Sequence, residues 1–190
     1  MDQAESLRKA IGMRVKRGAG PARVIAAAGW DEGAGVAEAA AGLARALNEI
    51  GHSAYVAAEA GGGKAVESLA ESGGYDYIII AAPPGISEGV FEASAAAGET
   101  VIVTAPDQPS VTNAYLLIKS IKARVPGAVF WLMVNRAENE AGAVEAMDRI
   151  GQVTHKFLDL KLRKLGYILD NPRHAADGYR EMAPRFADAT

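Results

Sequence analysis

ARVIAAAGWDEGAGVAEAAAGLARAL, residues 22–47, decides how the rest of the chain is read. The run ARVIAAAG has the composition of a buried β-strand closing on glycine, WDEGAG follows as a loop, and VAEAAAGLARAL opens a helix. A strand, a glycine turn and a helix N-terminus make an anion site, because free backbone N–H groups and the positive end of the helix dipole converge there. A loop that holds nucleotide phosphates also needs a lysine for the β/γ-phosphates and a Ser/Thr hydroxyl for Mg²⁺, in the order GK[ST]. Here Gly35 is followed by Val36 and Ala37, which offer neither group.

Outward from this stretch, strand and helix patterns alternate. The expected strands are Arg23–Ala28, Ala54–Glu59, Asp76–Ala82, Thr100–Thr104, Ala128–Val134 and Leu165–Leu169. YDYIIIAA and TVIVTA are continuous apolar runs, as strands covered on both faces of a parallel sheet require. The expected helices are Gly35–Ile50, Lys64–Ser72, Ser87–Ala97, Ser110–Val125 and Asn139–Leu160. The last carries Val144, Met147, Ile150, Val153, Phe157 and Leu160 at helical spacing, a stripe read as core. This rhythm predicts an α/β fold with a doubly wound, mainly parallel sheet and helices on both faces.

The 190 residues form one domain's worth of chain, and with 49% hydrophobic but only 6% aromatic residues the core must be built from Ala, Val, Ile and Leu. A net charge of −3 gives no bulk attraction for nucleic acid. The absence of Cys excludes disulfides, thiolate metal sites and cysteine catalysis. His52, His155 and His174 lack metal-ligand spacing, so no metal site is expected. No apolar run approaches the roughly 20 residues of a membrane span, and there is no signal-peptide core, so a cytoplasmic protein is expected.

Two segments fall outside the core, residues 22–170. Residues 1–17 form an expected amphipathic extension helix, with Asp2 and Glu5 as a capping-box-like start and Ala4, Leu7, Ile11 and Val15 on one face. Arg8, Lys9, Arg14, Lys16 and Arg17 make it basic, and GAGP, residues 18–21, links it to the first strand. Residues 171–190 contain Pro172 and Pro184 and read as a tail that wraps the surface and frays.

With these features in place, the core resembles the MinD/ParA group of P-loop ATPases, whose deviant phosphate loop has the form GKGGVGKT. Aligned without gaps, residues 24–47 keep the strand, Gly33, Gly35 and the helix, with Gly29 closing the strand. YDYIIIAAPPGISE resembles the family's YDYIIIDTPAGIS, APDQPSVTNAYLLIKSI its TPEPTSITDAYALIK, MVNR its VVNR, and LGYILDNP its LGYIPEDP. The opening MDQAESLR is similar to the DQAxxLR motif of the FlhG/FleN branch, regulators of flagellar number and placement. The resemblance runs from Asp2 to about Pro172 and is interrupted after Glu59, where family members carry a longer insertion.

The resemblance also implies what is missing. The lysine that reaches across a nucleotide-sandwich dimer falls at Asp31, the phosphate-binding lysine at Val36 and the Mg²⁺-binding Ser/Thr at Ala37. The family's DAD aspartates fall at Ala58 and Ala60, and the aspartate ending the next strand at Ala81. Charge clamp, metal ligands and water activation are thus all absent, which implies a pseudo-ATPase with no catalytic residues, no bound ATP or Mg²⁺ and no ATP-dependent dimer. Asp31 and Glu32 set two carboxylates where phosphate would lie, and like charges about 4 Å apart repel by roughly 4 kcal/mol at an effective dielectric of 20. Two readings stand for them: one carboxylate mimics phosphate at the helix N-terminus, or both point into water.

Asn135 falls at the family's adenine-contacting position, or simply caps a strand end. GGGK, residues 61–64, looks like a displaced phosphate loop, but Ala65 follows Lys64 and Ala58 replaces the leading glycine. Asp107 in a strand-to-helix loop reads as turn chemistry.

In the FlhG branch the DQAxxLR helix docks on FlhF, a signal-recognition-type GTPase, and stimulates its GTP hydrolysis. Carried over, Gln3 positions the attacking water, Asp2 and Arg8 fix the helix and Leu7 packs on the partner. A Gln amide can both donate to and accept from one water. The plainer reading is that residues 1–17 pack on their own domain through Leu7 and Ile11. Expected partners are therefore an FlhF-type GTPase and other flagellar or polar proteins, with membrane binding weak or indirect and recruitment to the cell pole or flagellar base. Two alternatives remain: an adaptor for polar localisation that uses its folded surface, and an ATPase with relocated ligands.

Overall fold

The computed structural model describes residues 20–58 and 62–189. The extension helix expected at residues 1–17, with Asp2, Gln3, Leu7 and Arg8, lies outside the described residues, as do Glu59, Ala60 and Gly61. Six strands form one sheet: β1 (Arg23–Ala28), β2 (Ala54–Ala58), β3 (Tyr77–Ala81), β4 (Glu99–Thr104), β5 (Val129–Ala137) and β6 (Arg163–Leu169). Their order across the sheet is β2-β3-β1-β4-β5-β6, and every neighbouring pair is parallel. The helices are α1 (Val36–Glu49), α2 (Gly62–Glu71), α3 (Glu88–Ala97), α4 (Gln108–Arg124), α5 (Glu140–Leu158) and α6 (Pro172–Ala187).

Successive strand residues feed two cores because side chains alternate between the faces of a sheet. Ala26, Ile78, Ile80, Ile102 and Leu132 meet residues of α2 to α5 on one face. Ile25, Ile79, Val101, Val103 and Met133 meet α1 and α6 on the other. Two-sided burial explains the unbroken apolar runs, and the five helices expected from the pattern all form, with ends shifted by one or two residues. No helix among the described residues is long and apolar enough to cross a membrane.

Two expectations fail. The supposed surface tail is α6, which packs against α1 and β6 with Tyr179, Met182, Ala183 and Phe186 buried. Pro172 takes the first helical position, where a missing N–H costs nothing, and Pro184 lies in the last turn. The second failure is the α5 stripe. Its core face runs through Ala143, Ala146, Met147, Ile150 and Thr154, while Val144 is exposed and Phe157 is 63% exposed. Small alanines set this face, so a reading weighted toward large residues places it slightly out of phase.

The join between α6 and the sheet is close. A Cβ on Gly42 of α1 would fall 2.4 Å from the Tyr179 ring, so only glycine admits the tyrosine there. At the end of the sheet where the strands begin, Arg23 donates to both Glu99 carboxylate oxygens at 2.7 and 2.8 Å and to the Phe186 carbonyl at 2.8 Å. Trp131 Nε1 donates to Glu99 at 2.8 Å, and the Arg23 guanidinium stands 4.4 Å above the Phe186 ring.

The two edge strands differ from the interior ones. On β2, the Asn48 side chain of α1 accepts from the Ala54 N–H at 3.1 Å and donates to the Ala54 carbonyl at 3.2 Å. On β6, the register with β5 shifts twice, between Leu132 and Met133 and between Val134 and Ala137.

Candidate functional site

The site expected from the sequence assembles at the carboxyl ends of β1, β3 and β5, the usual binding edge of a parallel α/β sheet. β1 ends at Ala28, and the chain turns through Gly29, Trp30 and Asp31 into a 3-10 turn, Glu32–Ala34. Gly35, at φ 72°, then opens α1. That left-handed conformation suits glycine, and a Cβ there would also lie 2.7 Å from Asn135 Nδ2. Gly29 is required by close approach: a Cβ on it would fall 2.7 Å from Val36 Cγ2 and 2.8 Å from Ala34 Cβ. The space beside Gly29 is thus occupied by two apolar side chains, both buried.

Several of the loop's polar groups find partners within the chain. Asp31 Oδ1 accepts from the Ala34 N–H at 3.0 Å, capping the 3-10 turn. Asn135, 1% exposed at the end of β5, donates from Nδ2 to the Ala34 carbonyl at 3.0 Å. Its Oδ1 accepts from the Arg136 N–H at 3.0 Å. Arg136 adopts φ 57°, a conformation non-glycine residues rarely take, and its guanidinium donates to the Gly33 carbonyl at 2.8 Å. The same guanidinium lies 3.5 Å from the Glu38 carboxylate of the first α1 turn. From the β3–α3 loop, the Gly85 N–H donates to the Gly29 carbonyl at 3.0 Å.

Of the residues singled out from the sequence, the fold gathers Gly29, Asp31, Glu32, Gly33, Gly35, Val36, Ala37 and Asn135 at this corner. Ala58 and Ala81 end β2 and β3 as register partners, so the two strand ends stand side by side. Asp31 and Glu32 are both exposed, and they differ in that Asp31 caps the turn. Asp107 is helix-cap chemistry: it accepts from the Ser110 N–H at 2.9 Å and from its hydroxyl at 2.7 Å. Partial burial would raise its carboxyl, but these two bonds hold it below the ordinary range.

Sequence reading missed Arg136, Glu38 and Gly85. The one available signal was the arginine in MVNR, beside the asparagine that drew attention. Gly85 carried none, because its role depends on two loops meeting.

Next to the loop, a cleft of about 410 Å³ opens between α1, α6 and the ends of β5 and β6. Glu38, Arg45, Asn135, Asp170 and Tyr179 line it. The Tyr179 hydroxyl is buried without a hydrogen-bond partner, and burial, with the nearby Glu38 charge, pushes the phenol up to about 12.

The Asp31 cap has a measurable consequence. Asp31→Ala is expected to lower stability by about 1 kcal/mol, the usual value of such a cap, while Glu32→Ala changes it by a few tenths at most. Urea unfolding of the two variants checks this; equal midpoints would show that the capping bond contributes nothing.

Comparison with known proteins agrees with this fold. No protein-family profile matches the chain. MinD of Aquifex aeolicus superposes with a TM-score of 0.72 at 18% identity, covering 89% of this chain and 98% of that one. The cell division ATPase MinD of Pyrococcus furiosus gives 0.70 at 14% identity, covering 88% and 99%. A plasmid partition protein of Borrelia burgdorferi gives 0.65 at 13% identity, covering 90% and 100%. The fold is that of the MinD-like P-loop nucleoside triphosphatases. In sequence, the chain is 28% identical to the antiactivator FleN of Pseudomonas aeruginosa over 93 residues, 49% of this chain and 33% of that protein. The chain is thus similar in fold to MinD-type and partition proteins, and over half of its length in sequence to FleN.

Proposed function

We propose that this chain is a MinD/FleN-like regulator that works without an ATP cycle of its own and acts through residues 1–17 on a signal-recognition-type GTPase. The observation that carries the first half is the packing of Val36 and Ala34 against Gly29, where a phosphate loop would place a lysine and leave room for oxygen atoms. Asp31 and Glu32 add negative charge where a nucleotide would bring its own. The residues present do not fit Mg²⁺–ATP: Ala37, Ala58 and Ala81 offer no oxygen ligand for the metal and no base for water.

The second half is supported by the order DQAESLR ahead of this fold and by the similarity to FleN. With hydrolysis gone from the core, the chemistry left to the chain is what Gln3 can do in a partner's site, orienting a water by donating and accepting at once.

The test is steady-state GTP hydrolysis by the cognate FlhF-type GTPase, alone, with this protein and with its Gln3→Ala variant. Stimulation by the intact protein is expected, of the order of tenfold or more, and it should fall to the basal rate in the variant. No stimulation by the intact protein would reject the activator reading. Titration with Mg²⁺–ATP belongs beside it: saturable, Mg²⁺-dependent binding would favour an ATPase with relocated ligands.

A further inference from the structure

GTPase activation through residues 1–17 gives no role to the cleft between α1 and α6, yet its wall holds two donors without acceptors. The first is the Tyr179 hydroxyl. Because Gly42 has no Cβ, the ring lies against α1, and the residue is only 7% exposed. The hydroxyl is buried and has no hydrogen-bond partner among the described residues. Such a group costs free energy, so it marks a place where an acceptor belongs. It faces the cleft, since the charges acting on it are those of Glu38, Arg136 and Arg45, all on the cleft wall. The second donor is Arg45, about 10 Å along α1 from Glu38. Most other charges of the cleft are already paired. Arg136 donates to the Gly33 carbonyl at 2.8 Å and lies 3.5 Å from Glu38, and Arg180 donates to Glu49 at 2.8 Å. Arg45 is exposed and makes no ion pair among the described residues.

We propose that this cleft binds a small organic monocarboxylate, with its carboxylate on Arg45 and Tyr179 and its apolar body among Ala41, Ala46 and Ala175. A carboxylate matches the planar guanidinium fork through two parallel N–H bonds and keeps lone pairs for the phenol. Tyr179 is the donor in that bond, because its phenol, pushed up to about 12, stays protonated at neutral pH. The cleft's volume of about 410 Å³ is that of a small-molecule site, and alanines on both helices give it an apolar floor. Asp170 adds a carboxylate that makes no ion pair among the described residues, so a single negative charge is tolerated there better than a phosphate dianion. The site does not rest on the activator reading above.

NMR titration of the isotope-labelled full chain tests it, with phenylacetate, its neutral analogue phenylacetamide, inorganic phosphate and adenosine as probes. Phenylacetate is expected to saturate with a Kd on the order of 1 mM, the scale for a ligand of about ten heavy atoms, and to shift the amides of Gly42 and Arg45. Phenylacetamide should bind at least about tenfold more weakly. Arg45→Gln should weaken phenylacetate about tenfold or more, and Tyr179→Phe about fivefold. Tyr179→Phe removes an oxygen with no partner in the protein, so without ligand this variant should unfold at the wild-type temperature or above it. Equal binding of acid and amide, or affinity unchanged by Arg45→Gln, overturns the proposal. Phosphate binding as tightly as phenylacetate does so too, leaving Arg45 a general anion contact. Adenosine binding more tightly than phenylacetate would make the cleft a nucleoside site instead, and shifts that never saturate would leave no site there.

Discussion

Phe186→Ala is expected to destabilise the fold by about 3–5 kcal/mol, a large share of the roughly 5–15 kcal/mol that holds a domain folded. The ring is fully buried, with its centre 5.0 Å from that of Trp131 and 6.2 Å from that of Tyr77. Its removal leaves a cavity between α6 and the sheet and takes away the aromatic face under the Arg23 guanidinium. Urea unfolding should show a lower midpoint with an unchanged slope. A loss below about 1 kcal/mol would mean that the last turn of α6 does not hold the packing described for it.

Glu99→Gln is the second large effect, at about 2–3 kcal/mol. Glu99 accepts two bonds from Arg23 and one from Trp131, and bonds to a charged group are the strong ones. Removing one member of a buried pair can cost more, but both side chains here are about one-fifth exposed, at 17% and 22%, which moderates the loss. The pH dependence has a definite sign. Burial alone would raise the Glu99 carboxyl, but the bonds from Arg23 and Trp131 and the nearby arginine charges hold it below its ordinary value of 4.5. A lowered folded value means that the contribution is fully present above pH 4.5 and is lost as pH falls through the folded value. Below pH 4.5 the wild-type midpoint should therefore fall toward that of Glu99→Gln; a constant gap would exclude Glu99 as the titrating group. Because Arg23 touches both residues, losses from Phe186→Ala and Glu99→Gln should not add in the double variant.

The parallel centre of the sheet was legible because β3 and β4 are apolar without alternation, a pattern that burial on both faces explains. α6 was hidden by its prolines, although Ala175, Tyr179, Met182, Ala183 and Phe186 keep helical spacing between them. Proline disrupts a helix interior, and its harm depends on where the helix begins and ends, which composition does not give. In α5 the buried face is marked by Ala143 and Ala146, residues that also suit exposed helix surface, so Val144 and Phe157 drew the stripe off phase. At the candidate site, the glycine frame and the residues at positions 36 and 37 could be read directly. The contacts of Arg136 and Gly85 could not: they join the loop after β1 to segments about 100 and 50 residues away, and only the sheet order brings those together.

The two ends of the sheet act as chain terminators. A strand edge with open N–H and C=O groups invites a second molecule to extend the sheet. On β2 the Asn48 amide already supplies both bonds that an incoming strand would offer to Ala54. On β6 the two register shifts bend the strand, so a straight partner finds no regular ladder to follow. Strand addition is thus opposed at Ala54 on one edge and by the irregular register on the other. Concentrated solutions of the protein are accordingly expected to resist ribbon-like polymerisation, and Asn48→Ala would free the Ala54 groups for an incoming strand.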